Sequence, residues 1–110
     1  MNNVYYNPKD FGMELVDVLD QPDMCYEYNT FIVLKHNGSG RIFFAHDSGC
    51  SCPTPFEDYH FSVTEDGIIS TNLTELTKAS QAAFEAEVNN FPVTMEEKQS
   101  CLVKVKTAQK

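Results

Sequence analysis

Apolar and polar positions change rhythm along this chain, and the changes mark its elements. From Cys25 to His36 the residues Tyr26, Tyr28, Thr30, Phe31, Ile32 and Val33 form a dense β-branched and aromatic run, the kind that packs on a pleated surface. Asn37-Gly38-Ser39-Gly40 then supplies glycines and short polar side chains for a hairpin loop. Arg41-Ile42-Phe43-Phe44-Ala45-His46 returns as the second strand. With those four residues as the loop, His36 faces Arg41, and the numbers of every further pair sum to 77. That register sets Phe31 beside His46 and, carried on, Cys25 beside Cys52. Gly49 and Pro53 are expected to interrupt it.

Upstream, Asn7-Pro8-Lys9-Asp10 reads as a turn that closes a short aromatic arm. Met13 to Leu19 is apolar with a β-branched centre, and the spacing of Phe11, Leu15, Val18 and Leu19 suits a helix as well as a strand. The turn signal Gln21-Pro22-Asp23, with proline at its second position, favours the strand. Downstream, Phe61-Ser62-Val63 and Ile68-Ile69 flank Glu65-Asp66-Gly67 as a second small hairpin.

Beyond it the apolar period lengthens to that of a helix. Phe84, Val88 and Phe91 make a stripe behind Ser80 as N-cap, and Pro92 ends it, because a proline disfavours helix in the residue before it. Thr94-Met95-Glu96-Glu97 is a capping box for a second helix, with Cys101, Leu102, Val105 and Ala108 on one side. Strands first and helices after predict an α+β domain over residues 1–110. The expected architecture is an antiparallel sheet of three to five strands with two C-terminal helices packed on one face. Residues 1–70 are then mainly β and 71–110 mainly helical.

Charge changes the picture of what this fold meets. The net charge of the 110 residues is -8, and residues 1–78 hold the whole acidic excess. Between Lys9 and Glu27 lie Asp10, Glu14, Asp17, Asp20 and Asp23. Such a field repels nucleic acid and anionic membranes. Arg41 is the sole arginine and there is no tryptophan, so phosphate clamping and strong base stacking are not on offer. Direct nucleic-acid binding is not expected, and no apolar run is long enough to cross a bilayer. Met1-Asn2-Asn3-Val4 lacks the basic start of a signal peptide, which leads to the expectation of a cytoplasmic protein with reduced cysteines.

The candidate chemistry gathers in Asp47-Ser48-Gly49-Cys50-Ser51-Cys52-Pro53-Thr54-Pro55-Phe56-Glu57-Asp58. One reading is a rigid loop: Gly49 takes a dihedral that other residues avoid, Pro53 and Pro55 fix φ, and Phe56 and the cysteines fill space beneath. A second is a zinc site of Cys25, Cys50 and Cys52 with His46 or His60 as fourth ligand, although a lone Cys-x-Cys is a weak motif. A third is thiol catalysis, which Asp47, Glu57 and Asp58 disfavour by pushing thiol pKa values upward. The rigid loop is the preferred reading, with no cofactor and no catalytic residue. Cys101, on the helix stripe, reads as a small apolar core residue. The candidate contact surface comprises Asp47, Ser48, Cys50, Cys52, Pro53, Pro55, Phe56, Glu57 and Asp58 in the loop, with Asp17, Asp20 and Asp23 on an acidic face. The tyrosines, Tyr5 and Tyr6 among them, either join that surface or half-bury their rings while wetting their hydroxyls.

Tyr6-Asn7-Pro8-Lys9-Asp10-Phe11-Gly12, the β-rich middle and above all the loop from Asp47 to Asp58 resemble a family of small proteins of unknown function. Its members are carried by bacteriophages and prophages, notably those of actinobacteria. The resemblance covers residues 5–59 and, more loosely, the two helices. It departs over residues 60–72 and at His46, where the family has an arginine or a variable residue, which weakens His46 as a ligand. The resemblance implies a context without an activity: a phage accessory protein in the host cytoplasm, monomeric or weakly dimeric. Such a protein would bind and modulate or inhibit a host protein, in host takeover or defence evasion. The alternative is a small zinc-binding structural domain.

Overall fold

The computed structural model describes residues 4–22, 27–50, 56, 60–64, 67–71 and 73–109, with residues 50, 60–64 and 67–71 described through the backbone alone. A single 3-10 turn, Pro8–Phe11, ends at Gly12, whose φ of 69° is left-handed. Three strands follow as a meander: β1 (Met13–Asp20), β2 (Glu27–His36) and β3 (Ile42–Cys50). The strand reading of Met13–Leu19 therefore holds. A separate two-stranded antiparallel sheet comes next, β4 (His60–Thr64) and β5 (Gly67–Thr71), as expected of a second hairpin; Glu65 and Asp66 lie outside the described residues. The chain then returns to the main sheet through β6 (Thr74–Glu75), beside β3, and closes with α1 (Gln81–Asn90) and α2 (Met95–Ala108). The main sheet is antiparallel with order β1-β2-β3-β6, so the fold is α+β.

The central hairpin keeps the predicted register along its whole described length. Lys35 pairs with Ile42, Phe31 with His46 and Glu27 with Cys50. The loop closes through His36 N–H to the Arg41 carbonyl at 2.8 Å and Gly40 N–H to the His36 carbonyl at 2.7 Å. Gly40 sits at φ 75°, a conformation that costs glycine little and other residues more. Gly49 does not break the ladder, contrary to expectation. It lies in ordinary extended backbone opposite Tyr28, and a β-carbon there would come 3.4 Å from the Tyr28 hydroxyl. Glycine at this position makes room for a ring rather than for a dihedral.

Parity then sorts the core. Phe31, Val33, Ile42 and Phe44 face the helices and meet Phe84, Val88, Phe91, Cys101 and Val105. Ile32, Leu34, Phe43 and Ala45 face the other way and meet Val4, Met13, Phe56 and Leu73. Both sides of β2 are thus covered, which is why Phe31-Ile32-Val33-Leu34 is continuously apolar instead of alternating.

Between β1 and β2 the register shifts between Leu15 and Asp17. This bulge puts Val16 and Asp17 in succession on the helix side, where strict alternation would divide them. Ser80 occupies the N-cap position of α1, but its side chain does not cap the helix. Its hydroxyl donates to the Glu75 carbonyl at 2.7 Å and accepts from Thr77 N–H at 2.8 Å, tying α1 back to β6. Thr94 does cap α2, accepting from Glu97 N–H at 3.2 Å. The strand β6 lies in the region expected to be helical, and a two-residue strand carries no periodic signal.

Phe31 is the hub of the helix-side core, with ring centroids 6.0, 5.9 and 6.3 Å from Phe44, Phe84 and Phe91. We expect Phe31→Ala to lower unfolding free energy by about 3–5 kcal/mol in urea titrations, the usual range for a buried aromatic. A loss well under that range would mean that α1 does not seat on the sheet at this ring.

Candidate functional site

The helix-side face of β2 and β3 does not end where its helical cover ends. Parity continues from Phe31 and Phe44 to Asn29 and Glu27 on β2, and to His46 and Ser48 on β3. α1 stops at Asn90, and Phe91 leaves it in extended backbone with Pro92 following. Past that stop the sheet surface is polar. A cleft of about 360 Å³ lies between Asn29 and His46 on the sheet and Glu87, Asn90 and Phe91 at the end of α1. A second, of about 510 Å³, lies on the other side of the same pair, bordered by Gln21, Glu27, Tyr28 and Ser48.

Asn29 and His46 form the ridge between the two clefts. The Asn29 amide donates to Gln21 Oε1 at 3.0 Å, which aims its carbonyl Oδ1 at His46 Nε2. That contact makes Nε2 the donor, since an amide oxygen only accepts. The edge of Phe91 holds the ring from the helix side, with centroids 5.8 Å apart and planes at 84°. The amides of Gln21, Asn29 and Asn90, the carboxylates of Glu27 and Glu87, and the imidazole of His46 thus line one saddle, with no lysine or arginine among the described residues that border it. It can present donors and acceptors to another surface.

His46 and Asp47 are neighbours on β3 and point to opposite faces. Asp47 Oδ2 accepts from the Tyr28 hydroxyl at 3.0 Å and from the Phe56 N–H at 2.9 Å, while Oδ1 accepts from Ser48 N–H at 3.0 Å. Phe56 is fully buried, packs 5.4 Å from Tyr5, and sits at φ 60°. A left-handed phenylalanine costs roughly 1–2 kcal/mol. Burial of the ring and the charge-assisted hydrogen bond to Asp47 offset that cost. Phe56 therefore inserts beneath the sheet as expected, and Asp47, a candidate contact, works inward as its clasp. Ser48 is exposed beside the saddle.

The acidic face divides in the same way. Asp20 is exposed, with Oδ1 accepting from Thr30 Oγ1. Asp17 is largely covered. The bulge carries it under α2, where its side chain is 14% exposed and Oδ1 lies 3.3 Å from Lys104 Nζ. The buried thiol of Cys101 also donates to it. Burial first, then the Asp17 charge and this hydrogen bond, push the Cys101 thiol up to about 12, against the pull of Lys104. Cys101 stays a protonated core residue at neutral pH.

Cys52, Pro53, Pro55, Glu57, Asp58, Asp23 and Cys25 lie outside the described residues, and Cys50 and His60 are described through the backbone alone. The zinc arrangement of Cys25, Cys50, Cys52 and His60 accordingly lies outside them too. Among the described residues no group of three or more His, Cys, Asp or Glu side chains could hold a metal ion. His46, the other candidate ligand, spends Nε2 on Asn29. Gln21, Asn29, Asn90 and Phe91 escaped the sequence reading. The signal for Asn29 was present: it precedes Phe31 by two on the same face, diagonal to His46 in the predicted register.

These features define a small α+β protein with a polar saddle at one sheet end and Phe56 clasped by Asp47 on the opposite face. The chain belongs to the family described as a domain of unknown function (DUF7574), which matches residues 2–110. No curated protein matches the chain, and no solved structure does.

Phe56→Ala should cost about 3–5 kcal/mol, and Cys50→Ser with Cys52→Ser clearly less, because the buried ring carries the loop. Thermal melts with and without chelator check this; a double-serine variant that unfolds first, matched by chelated parent, reverses the order. Alkaline stability reports on Cys101. Its folded pKa lies above its ordinary value of 9.0, so its contribution is whole below pH 9 and falls as pH rises toward about 12. Cys101→Ala should flatten that decline in denaturation measured across this window, and an unchanged decline would place the thiol away from Asp17.

Proposed function

We propose that the chain is a phage accessory protein that acts in the host cytoplasm by binding a host protein, occupying or inhibiting it, and not by catalysis. The phage context rests on the resemblance of the Tyr6–Gly12 segment and the Asp47–Asp58 loop. The observation that carries the binding reading is the Asn29–His46 saddle. Its side chains are held by one another and by Phe91, so little rotamer entropy remains to be lost on docking. The two clefts give the ridge the relief of a surface shaped for another molecule. The residues around it include two exposed carboxylates, Glu27 and Glu87, and no cation, which favours a partner surface with basic or amide groups. Among the described residues no helix is long and apolar enough to cross a membrane.

Capture from lysate of an actinobacterial host, using the full chain and an Asn29→Ala/His46→Ala variant, tests this. Both positions are at the surface ridge, so the variant should melt close to the parent while losing a specifically captured protein. Recapture with purified partner should weaken steeply with added salt, because exposed charges are screened over roughly 8 Å at physiological ionic strength. Identical capture by parent and variant would remove the saddle from the reading.

A further inference from the structure

Among the described residues no strand pairs with the outer edge of β1, which ends the main sheet. α2 runs antiparallel beside this strand. Its first turns, at Glu96, Glu97 and Ser100, border Asp17–Leu19 in a cleft of about 310 Å³. Its last turns, at Val103, Thr107 and Ala108, border Glu14–Val16 in a cleft of about 360 Å³. Lys104 stands between the two and is engaged by Asp17. One cleft is acidic, through Asp17, Glu96 and Glu97. The other is apolar, through Leu15, Val16 and Val103, the last 62% exposed.

We propose that this edge receives a basic, extended segment of another protein, added as a fifth strand beside β1. An edge strand offers a row of backbone donors and acceptors that a further strand completes. Alternate side chains of the added strand would point to the helix side, toward the two clefts. Charge selects the occupant. β1 carries Glu14, Asp17 and Asp20 and no base, with Glu96 and Glu97 facing it from α2. A second copy of the chain would set these acids against their equals, with Lys104 already engaged by Asp17. A neutral strand meets the bulge at Val16 and the same acids, devices that blunt an edge. A strand with lysine or arginine on its helix-side positions meets complementary charge at the Glu96/Glu97 end. An apolar residue an even number of positions away would enter the Val103/Ala108 end. No lining residue is shared with the Asn29–His46 clefts, so this surface stands whether or not the saddle binds a host protein.

The test titrates the isotope-labelled full chain with a capped peptide of alternating lysine and valine, about as long as β1. Companion titrations use a glutamate/valine peptide and a lysine/valine peptide N-methylated at alternate amides. Saturable shifts and new amide protection within Met13–Asp20 are expected for the lysine/valine peptide alone. Glu14→Lys with Glu96→Lys, both exposed, should weaken it by about tenfold or more, which is about 1.4 kcal/mol. Equal binding of the N-methylated peptide would overturn the proposal, since charge alone would then explain the attraction. Shifts centred on Asn29 and His46 would overturn it, as would β1 amides already protected on their outer side before any peptide is added. So would a dimer in sedimentation equilibrium with β1 as its seam.

Discussion

Everything in this molecule is arranged around a strand that cannot be wet on either side. β2 carries Thr30, Phe31, Ile32, Val33 and Leu34 in succession, all buried, and a strand presents successive side chains to opposite faces. One layer of cover therefore cannot suffice. The helices supply the first, through Phe84, Val88 and Val105. Val4, Phe56 and Leu73, drawn from three distant parts of the chain, supply the second. The second cover is the costlier to assemble, because it recruits single residues from irregular segments instead of a preformed face. A left-handed Phe56 is tolerated for that reason: the ring is needed where the backbone does not naturally bring it.

What was legible in the sequence follows from the same constraint. The β2–β3 register was readable because a short loop with Gly40 fixes the first pair and a half-turn slip would exchange the two cores. The second hairpin and the two helices followed from period and turn chemistry, whereas the place of β6 beside β3 did not. The bulge was not legible. Val16-Asp17-Val18 alternates apolar with polar, so it reads as a plain half-exposed strand, and Asp17 reads as surface. Only the α2 residues Cys101 and Lys104, far along the chain, reveal that Asp17 is wanted beneath a helix. Ser80 shows the limit of cap signals in the same way. A hydroxyl before a helix caps it only when no better acceptor lies nearby, and here the Glu75 carbonyl is 2.7 Å away. The Asn29–His46 saddle was half legible, since register places its ridge but not the point at which cover ceases.

That point is set by one imino acid. Pro92 forces Phe91 into extended backbone, φ -71° and ψ 140°, so α1 cannot add the turn that would carry it over His46. Phe91 folds back on Phe31 and closes the core, and its outward edge becomes the wall of the saddle. A helix breaker thus seals an apolar interior and exposes a polar floor in the same step. The charge pattern agrees with this division. Residues 79–110 are neutral in sum, holding equal numbers of acids and bases, whereas the acid excess lies with the strands and their loops.

His46 and Asp47 couple the two sides of that sheet. They are joined by one peptide unit inside a continuous ladder, so neither can shift without the other. On the helix side His46 takes its orientation from Asn29 and Phe91; on the far side Asp47 takes Phe56 N–H and the Tyr28 hydroxyl. Tyr28 in turn lies across Gly49, whose missing side chain lets the ring approach the strand closely enough to reach Asp47. A change in the loop that withdrew Phe56 would leave the Asp47 carboxylate without one of its charge-assisted partners. The strand segment from His46 to Gly49 would then keep only the Tyr28 hydroxyl as its tether on that face, while the other face is unchanged. Phe56 and the saddle are in this sense one structural unit seen from two sides, with β3 as the plate between them. Phe56, clasped by Asp47, thereby helps to hold still the strand that carries the saddle.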